Sequence, residues 1–266
     1  MRAGGAVVAF VPTMGALHAG HGALIDRARA KADFVVVSVF VNPDQFGEGE
    51  DFERYPRPFA HDAATCESMG VDLLFHPEAK MIAAPGRTIS LAESRLSRGL
   101  CGACRPGHFA GVLSIVSTLF NIVEPDLAIF GQKDAQQVRL IQALVSDLCY
   151  GIEIVVEPTV REPDGLAMSS RNAYLSDDER QQALCLFRSL ELVRERFEAG
   201  ERDTAVLRQE LLDGLTSASS ISVEYAEIVD YASLDVVETI TTKTLAAVAV
   251  RIGATRLIDN VLLDCI

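Results

Sequence analysis

Two histidines, His18 and His21, stand three residues apart in the glycine-rich stretch MGALHAGH. Imidazoles that donate hydrogen bonds suit the charge that builds on a phosphate during nucleotidyl transfer. The small residues Gly15, Ala16, Ala19 and Gly20 let a ligand approach the backbone. The His-x-x-His spacing also invites a metal, but no carboxylate or third ligand lies nearby, and zinc-binding pairs on helices usually sit at i, i+4. A glycine turn with incidental histidines is the plain alternative. FGQKDAQQ poses the same choice. Lys133 is one of only four lysines among 24 basic residues, and Asp134, Gln136 and Gln137 beside it suit phosphate neutralisation next to hydrogen bonding of hydroxyls. In MSSRN, Ser169, Ser170 and Arg171 either cap a helix or clamp phosphates from a mobile loop.

LCGACRPGHFAG sets Cys101, Cys104 and His108 in C-x2-C-x3-H order. A zinc site needs a fourth ligand, which no second C-x-x-C supplies, and a redox pair normally sits at a strand-to-helix turn. Arg105 and His108 carry more promise, because a cation just before a helix can bind a carboxylate or a phosphate. Phe40 and Phe46 read as core.

These residues need elements to position them. AVVAFVPT is a short β-branched run ending in proline, and Leu24, Ile25, Ala28 and Ala32 follow His21 at helical spacing, which predicts strand, loop, helix. Residues 33–42, DFVVVSVFVN, form the near-continuous apolar run of a parallel strand buried on both faces. A helix is predicted around residues 59–68, leading to VDLLFHP. HFAGVLSIVSTLFNIVEP reads as a long apolar helix closed by Pro125, and strand, helix and strand follow in DLAIFGQKD, AQQVRLIQALVSDL and IEIVVEPTV. Residues 1–160 therefore read as an α/β domain with a doubly wound parallel sheet.

After Val160 the pattern changes. A polar link leads to a helix near Ser176, where SDDE supplies an N-cap and first-turn acids, and a second helix is predicted over 204–218. ISVEYAEIVD, TLAAVAVRIG and TRLIDNVLL look like strands of a small antiparallel sheet, so residues 161–266 form a smaller α+β C-terminal domain. In an open parallel sheet, ligands bind outside the carboxyl ends of the strands. Those ends lead here to His18 and His21, to Asn42 and Gln45, and to Gly131, Lys133 and Asp134. Backbone N–H groups at the start of the helix after His21 are expected to add an anion site.

The 266 residues carry a formal charge of −13, with 49% hydrophobic and 23% charged residues. That balance excludes non-specific binding to nucleic acid or to an anionic membrane surface, and requires a local basic pocket for any anionic substrate. No run reaches the length of a membrane span, and the N-terminus is apolar too briefly for a signal peptide. Six cysteines without an export signal suggest reduced thiols in the cytoplasm.

In order and spacing, FVPTMGALHAGH, VSVFVNPDQFG, RYPR, RPGHFAGV, FGQKDAQQ and PTVREPDGLAMSSRNAYLS closely resemble the pantoate–β-alanine ligase family, over most of the chain to about Ser176. The remainder is similar in kind only. The resemblance implies a Rossmann-like nucleotidyltransferase fold of the HIGH-motif superfamily, a C-terminal lid and a homodimer. It implies that ATP activates (R)-pantoate to pantoyl adenylate with release of pyrophosphate, and that the amine of β-alanine then displaces AMP to give pantothenate. Mg2+ accompanies ATP.

Carried over by motif, Met14 and Gly15 through His21 line the ATP site. His18 and His21 stabilise the phosphate charge, His21 as proton donor, and form the catalytic set with Lys133 and Arg171. Asn42, Gln45 and Gln137 hold pantoate through its hydroxyls and carboxylate, with Arg105 and His108 in the same pocket near the second substrate. Gly131 and Asp134 meet the ribose, Lys133 the phosphates, and the backbone of Val160 the adenine. Met168, Ser169, Ser170 and Arg171 play the part of a KMSKS-like phosphate clamp whose closure shields the mixed anhydride from water.

Three departures from the family pattern stand out. Gln132 replaces a glutamate and Ala135 an aromatic residue, neighbours of Lys133 expected to tune activity and not abolish it. Cys101 and Cys104 replace a glutamate and a small residue, which favours inert thiols. The chain also starts late, lacking most of the helix that normally precedes the first strand. The competing readings are another nucleotidyltransferase of the superfamily, a catalytically impaired nucleotide-binding module, and a metal or thiol sensor built on Cys101 and Cys104. Intact His18, His21, Lys133, Ser169 and Arg171 argue against the impaired module.

Overall fold

The computed structural model describes residues 5–82, 88–217 and 220–265. The first residues of the N-terminal run, the expected helix end at 218 and the last residue of the C-terminal domain lie outside them. In chain order the elements are β1 (Val8–Thr13), α1 (Ala19–Lys31), β2 (Phe34–Val39), α2 (Phe59–Ser68), β3 (Leu73–Phe75), α3 (Ala79–Ile82), α4 (Leu100–Cys104), α5 (His108–Val123), β4 (Leu127–Gly131), α6 (Ala135–Asp147), β5 (Glu153–Glu157), α7 (Asp177–Glu198), α8 (Thr204–Thr216), β6 (Ile221–Asp230), β7 (Thr244–Ile252) and β8 (Thr255–Leu263). Short 3-10 turns occupy Pro43–Gln45, Gln132–Asp134 and Ser170–Tyr174.

The described residues fall into two compact units. One is drawn from Met1–Arg95, Arg105–Gln132 and Gln137–Val160, the other from Leu96–Cys104, Lys133–Gln136 and Arg161–Ile266. Two short segments from before residue 160 thus belong to the second unit, which a single cut in the sequence does not capture.

The first unit is built on a parallel sheet in the order β3-β2-β1-β4-β5. The central strands are apolar without alternation because both faces are covered: Ala9, Phe10, Val11, Val35, Val37 and Ile129 are fully buried. The strand order reverses between β1 and β4, which makes the crevice at their carboxyl ends the topological switch point where such sheets bind ligands. The stretches that leave those two ends are MGALH and GQKD. Helix α5 presents Val112, Ile115, Val116 and Leu119 to the core at helical spacing, and ends as expected before Pro125, with Glu124 in the left-handed region at φ 48°.

The second unit places α7 and α8 with an antiparallel sheet in the order β6-β7-β8. Leu186, Leu190, Val193 and Phe197 of α7 share one apolar cluster with Leu207, Leu211 and Leu215 of α8, each set spaced at about one turn. Gly214 permits the close approach of the two helices, since a Cβ there would lie 2.3 Å from the Ser189 hydroxyl oxygen. The predicted cap of α7 is a reciprocal box: the Glu179 amide donates to Ser176 Oγ at 3.3 Å, and the Ser176 amide donates to Glu179 Oε2 at 2.8 Å. Replacing Ser176 by Ala is expected to lower the unfolding free energy by about 1 kcal/mol with an unchanged urea m-value, as read from denaturation curves.

Candidate active site

The turn leaving β1 is shaped by two successive residues. Gly15 has φ 81° and Ala16 φ 50°, both left-handed. A Cβ at Gly15 would lie 2.8 Å from Asp62 Oδ2 and 2.9 Å from Val39 Cγ1, so the position tolerates only glycine. The turn points the amides of Ala16 and Leu17 the same way, and they donate to Asp62 Oδ2 and Oδ1 at 2.9 and 2.8 Å. Asp62, on α2, is fully buried.

The helix that follows begins earlier than its apolar spacing suggests, at Ala19, so both histidines belong to its first turn: His18 is the N-cap and His21 the third helical residue. The Gly20 amide donates to His18 Nδ1 at 3.1 Å and the His18 amide to His21 Nδ1 at 3.3 Å. The His18 and Gly20 amides at the start of the helix are thus capped by the imidazoles themselves. An Nδ1 that accepts cannot carry the proton of a neutral ring, so each ring holds it on Nε2. The two rings lie 4.1 Å apart between centroids. The donor that each neutral imidazole itself carries is therefore its Nε2–H group.

Asn42 and Gln45 flank the short turn after β2, and both are buried. Asn42 Nδ2 donates to Gln45 Oε1 and to the Gly111 carbonyl, each at 3.2 Å, and Gln45 Nε2 lies 3.0 Å from Met14 Sδ. The structure thus gathers Met14, Asn42 and Gln45. Gly111 of α5 is the bed for this turn, since a Cβ there would sit 2.2 Å from the Asp44 carbonyl oxygen.

Arg105 and His108 reach the same turn through its backbone: His108 Nδ1 lies 2.7 Å from the Gln45 carbonyl oxygen and Arg105 Nη2 donates to it at 3.2 Å. The Arg105 fork is also engaged by Glu50, with Nε to Oε1 at 2.6 Å and Nη2 to Oε2 at 2.5 Å. Burial alone would push the Glu50 carboxyl up, but the hydrogen bonds and charge of Arg105 bring it down to about 2. Gly131 ends β4 opposite Glu157 of β5; Gln137 and Val160, like Gly131, are half-buried.

In the second unit, Lys133 is half-buried and Asp134 exposed. The Lys133 carbonyl accepts from Asn260 Nδ2 at 2.9 Å, and Gln136 Nε2 donates to the Leu96 and Gly99 carbonyls at 2.8 and 2.9 Å. Ala135 beside them is buried, as is Gln132 at the end of the first unit's segment. The segment before MSSRN is a tight hairpin, bridged at Arg161 and Ala167. Arg161 grips Asp259 of β8 with both Nη atoms, at 2.6 and 3.1 Å, and Arg180 of α7 reaches Glu162 at 2.7 Å and Asp164 at 2.6 Å. Ser169 caps the 3-10 turn, its Oγ accepting from the Arg171 amide at 3.3 Å. Met168, Ser169, Ser170 and Arg171 are all half-buried at the end of this braced hairpin.

The C-x2-C-x3-H residues have separate partners. Cys101 Sγ accepts from Arg256 Nη2 at 3.2 Å and lies 3.6 Å from the Tyr225 hydroxyl, whereas His108 serves Gln45. All six cysteines are free thiols, and burial pushes that of Cys185 up to about 11. Among the described residues no group of three or more histidine, cysteine or acidic side chains is placed to hold a metal ion, and no helix is long and apolar enough to cross a membrane. Sequence reasoning missed Asp62, Asp259 and Asn260. Each is a polar residue buried within its element, a signal present in the apolar spacing around HDAATC and in the DN pair of TRLIDNVLL.

Comparison with known proteins supplies a context for this geometry. The family model described as pantoate-beta-alanine ligase matches residues 1–262. A pantothenate synthetase of Thermotoga petrophila is 49% identical over 263 residues, covering 99% of this chain and 94% of that protein. The crystal structure of pantothenate synthetase from Thermus thermophilus superposes with a TM-score of 0.94 at 43% identity, covering 97% of this chain and 94% of that one. A pantoate-beta-alanine ligase from Francisella tularensis, complexed with beta-gamma ATP and beta-alanine, gives 0.79 at 34% identity, covering 97% and 90%.

The Glu50–Arg105 pair predicts a pH dependence. The folded carboxyl titrates below its ordinary value of 4.5, so the pair's contribution to stability is complete above about pH 4.5 and is lost as the pH falls toward about 2. Glu50→Gln is expected to cost about 1.5–3 kcal/mol near pH 7, and the wild-type advantage to shrink sharply by about pH 3. Urea titrations of both proteins at the two pH values check this.

Proposed function

The chain belongs to the pantoate-beta-alanine ligase family, and from that premise we propose how its residues carry the reaction. The enzyme joins pantoate to β-alanine with ATP as co-substrate. In the first step a pantoate carboxylate oxygen attacks the α-phosphorus of ATP, the bond to the bridging oxygen breaks, and pyrophosphate leaves. In the second, the β-alanine amine attacks the acyl carbon of pantoyl adenylate, AMP leaves, and the amine loses a proton as the amide forms.

The observation that carries this reading is the pair of imidazoles held as Nε2–H donors in the turn leaving the central strand. Charge develops on the phosphoryl oxygens and on departing pyrophosphate in the first step, and donors fixed before the reaction need no reorganisation to meet it. We assign that task to His18 and His21, with His21 as proton donor, and to the cations of Lys133 and Arg171. Met14 and Gly15 line the nucleotide site, Gly131 and Asp134 take the ribose, Val160 the adenine, and Met168, Ser169 and Ser170 support the phosphate clamp.

Asn42, Gln45 and Gln137 hold the hydroxyls and carboxylate of pantoate. Arg105 and His108 brace the Gln45 backbone beside it, which fits their contacts better than a fork open to substrate. Mg2+ neutralises triphosphate oxygens when bound. Asp134, an exposed carboxylate next to Lys133, would be the side chain to reach an ion that arrives with phosphate and water as its other ligands. We further propose a cytoplasmic homodimer, on the resemblance to the family and on the free thiols.

Pyrophosphate released from ATP with D-pantoate alone, and sustained AMP release only once β-alanine is added, are the expected results. Silence under both conditions with ATP still bound would favour an impaired nucleotide-binding protein. His21→Ala and Lys133→Ala should each lower pantoate-dependent pyrophosphate release by about 100- to 1000-fold. Near-normal release in either variant overturns that residue's role.

A further inference from the structure

Asp62 stands outside every motif that points to the reaction, yet its carboxylate is tied to the histidine turn by both oxygens. The left-handed pair Gly15 and Ala16 turns two successive amides into one concavity, the kind of backbone nest that binds anions. Here the anion in the nest is the fully buried Asp62 carboxylate, with N···O distances of 2.9 and 2.8 Å. The next amide, that of His18, donates to His21, and the Gly20 amide donates to His18. Three consecutive amides, those of Ala16, Leu17 and His18, are thus committed to Asp62 and to the His21 ring, so the orientation that Asp62 imposes on the first two is passed through the backbone to the amides that hold both imidazoles.

We propose that Asp62 is a positioning residue for adenylate formation. It occupies the nest as an internal anion, so that phosphate is met by the imidazole Nε2–H groups instead of by the backbone, and it sets the angle at which the two rings leave the turn. The proposal rests on the functional reading above. It concerns only the first half-reaction, in which the α-phosphorus is attacked, because attack on the finished acyl adenylate asks no charge stabilisation of pyrophosphate.

Asp62→Asn keeps the shape but sets an NH2 group against one of the two amides. With this variant, pantoate-dependent pyrophosphate release is expected to fall about a hundredfold, the loss typical of an ångström-scale misplacement of catalytic groups, with the KM for ATP within about threefold of wild type. Transfer of separately supplied pantoyl adenylate to β-alanine should stay within about threefold as well. A purely structural role would lower both half-reactions alike through the folded fraction, so an equal fall overturns the proposal, as does unchanged pyrophosphate release.

Imidazole 15N spectra read the same claim without activity, and so separate its failure from failure of the ligase reading. The wild type should show both Nδ1 atoms unprotonated, and Asp62→Asn should show mixed tautomers; identical spectra overturn the proposal. If Asp62→Asn does not fold, an amide-to-ester exchange at Ala16, which removes one donor and keeps every side chain, takes its place with the same two readouts and the same expected and overturning results.

Discussion

The hydrogen bonds from Ala16 and Leu17 to Asp62 are the constraint on which the turn carrying His18 and His21 depends. An alanine in the left-handed region costs roughly 1–2 kcal/mol, and a buried carboxylate without partners costs far more. Two charge-assisted hydrogen bonds, each worth about 1.5–3 kcal/mol, settle both debts, and Gly15 removes the side chain that would collide with the carboxylate. Neither the turn nor the buried acid is stable alone. Their mutual dependence fixes where α1 begins, and so places His18 and His21 on its first turn.

The same logic shapes the neighbouring turn after β2. Asn42 and Gln45 are buried, and a buried amide side chain is tolerated only when its donors and acceptors are met. They meet one another and the Gly111 carbonyl, which is possible because a glycine at 111 lets the turn lie against α5. Arg105 and His108 then hold the carbonyl of Gln45 from outside. Glu50 keeps the arginine fork oriented, so Arg105 braces the turn that carries Asn42 and Gln45.

The sequence was most informative where one period or one cap dominates. Continuous valine runs announced the parallel strands, because burial on both faces leaves no alternation, and Ser176 with Glu179 announced the start of α7, because a capping box is local. The chemistry-bearing loops were legible for a different reason, since the carboxyl ends of parallel strands collect them. What escaped were long-range polar contacts. Asp62 is 45 residues from Leu17 in sequence and Asp259 is 98 from Arg161, and no local pattern tells a buried acid with backbone partners from an acid on a solvated helix face. The first turn of α1 escaped for the opposite reason: its caps are histidines, where serine, threonine or aspartate would have been recognised.

In the second unit, β8 shows how a structural strand can carry site geometry. Successive residues of a strand face opposite sides, so Asp259 and Asn260 serve two different segments: the acid takes both Nη atoms of Arg161, and the amide holds the Lys133 carbonyl. Both are nearly inaccessible to solvent, and leaving either unpaired would cost about 1–3 kcal/mol or more. The strand therefore cannot be satisfied unless the hairpin before the Ser169–Arg171 turn and the backbone of Lys133 are in place. Two segments of unrelated sequence position are registered to one strand by the cost of burying its polar pair, and that ties the stability of the C-terminal fold to the placement of the Lys133 backbone and of the hairpin before Ser169.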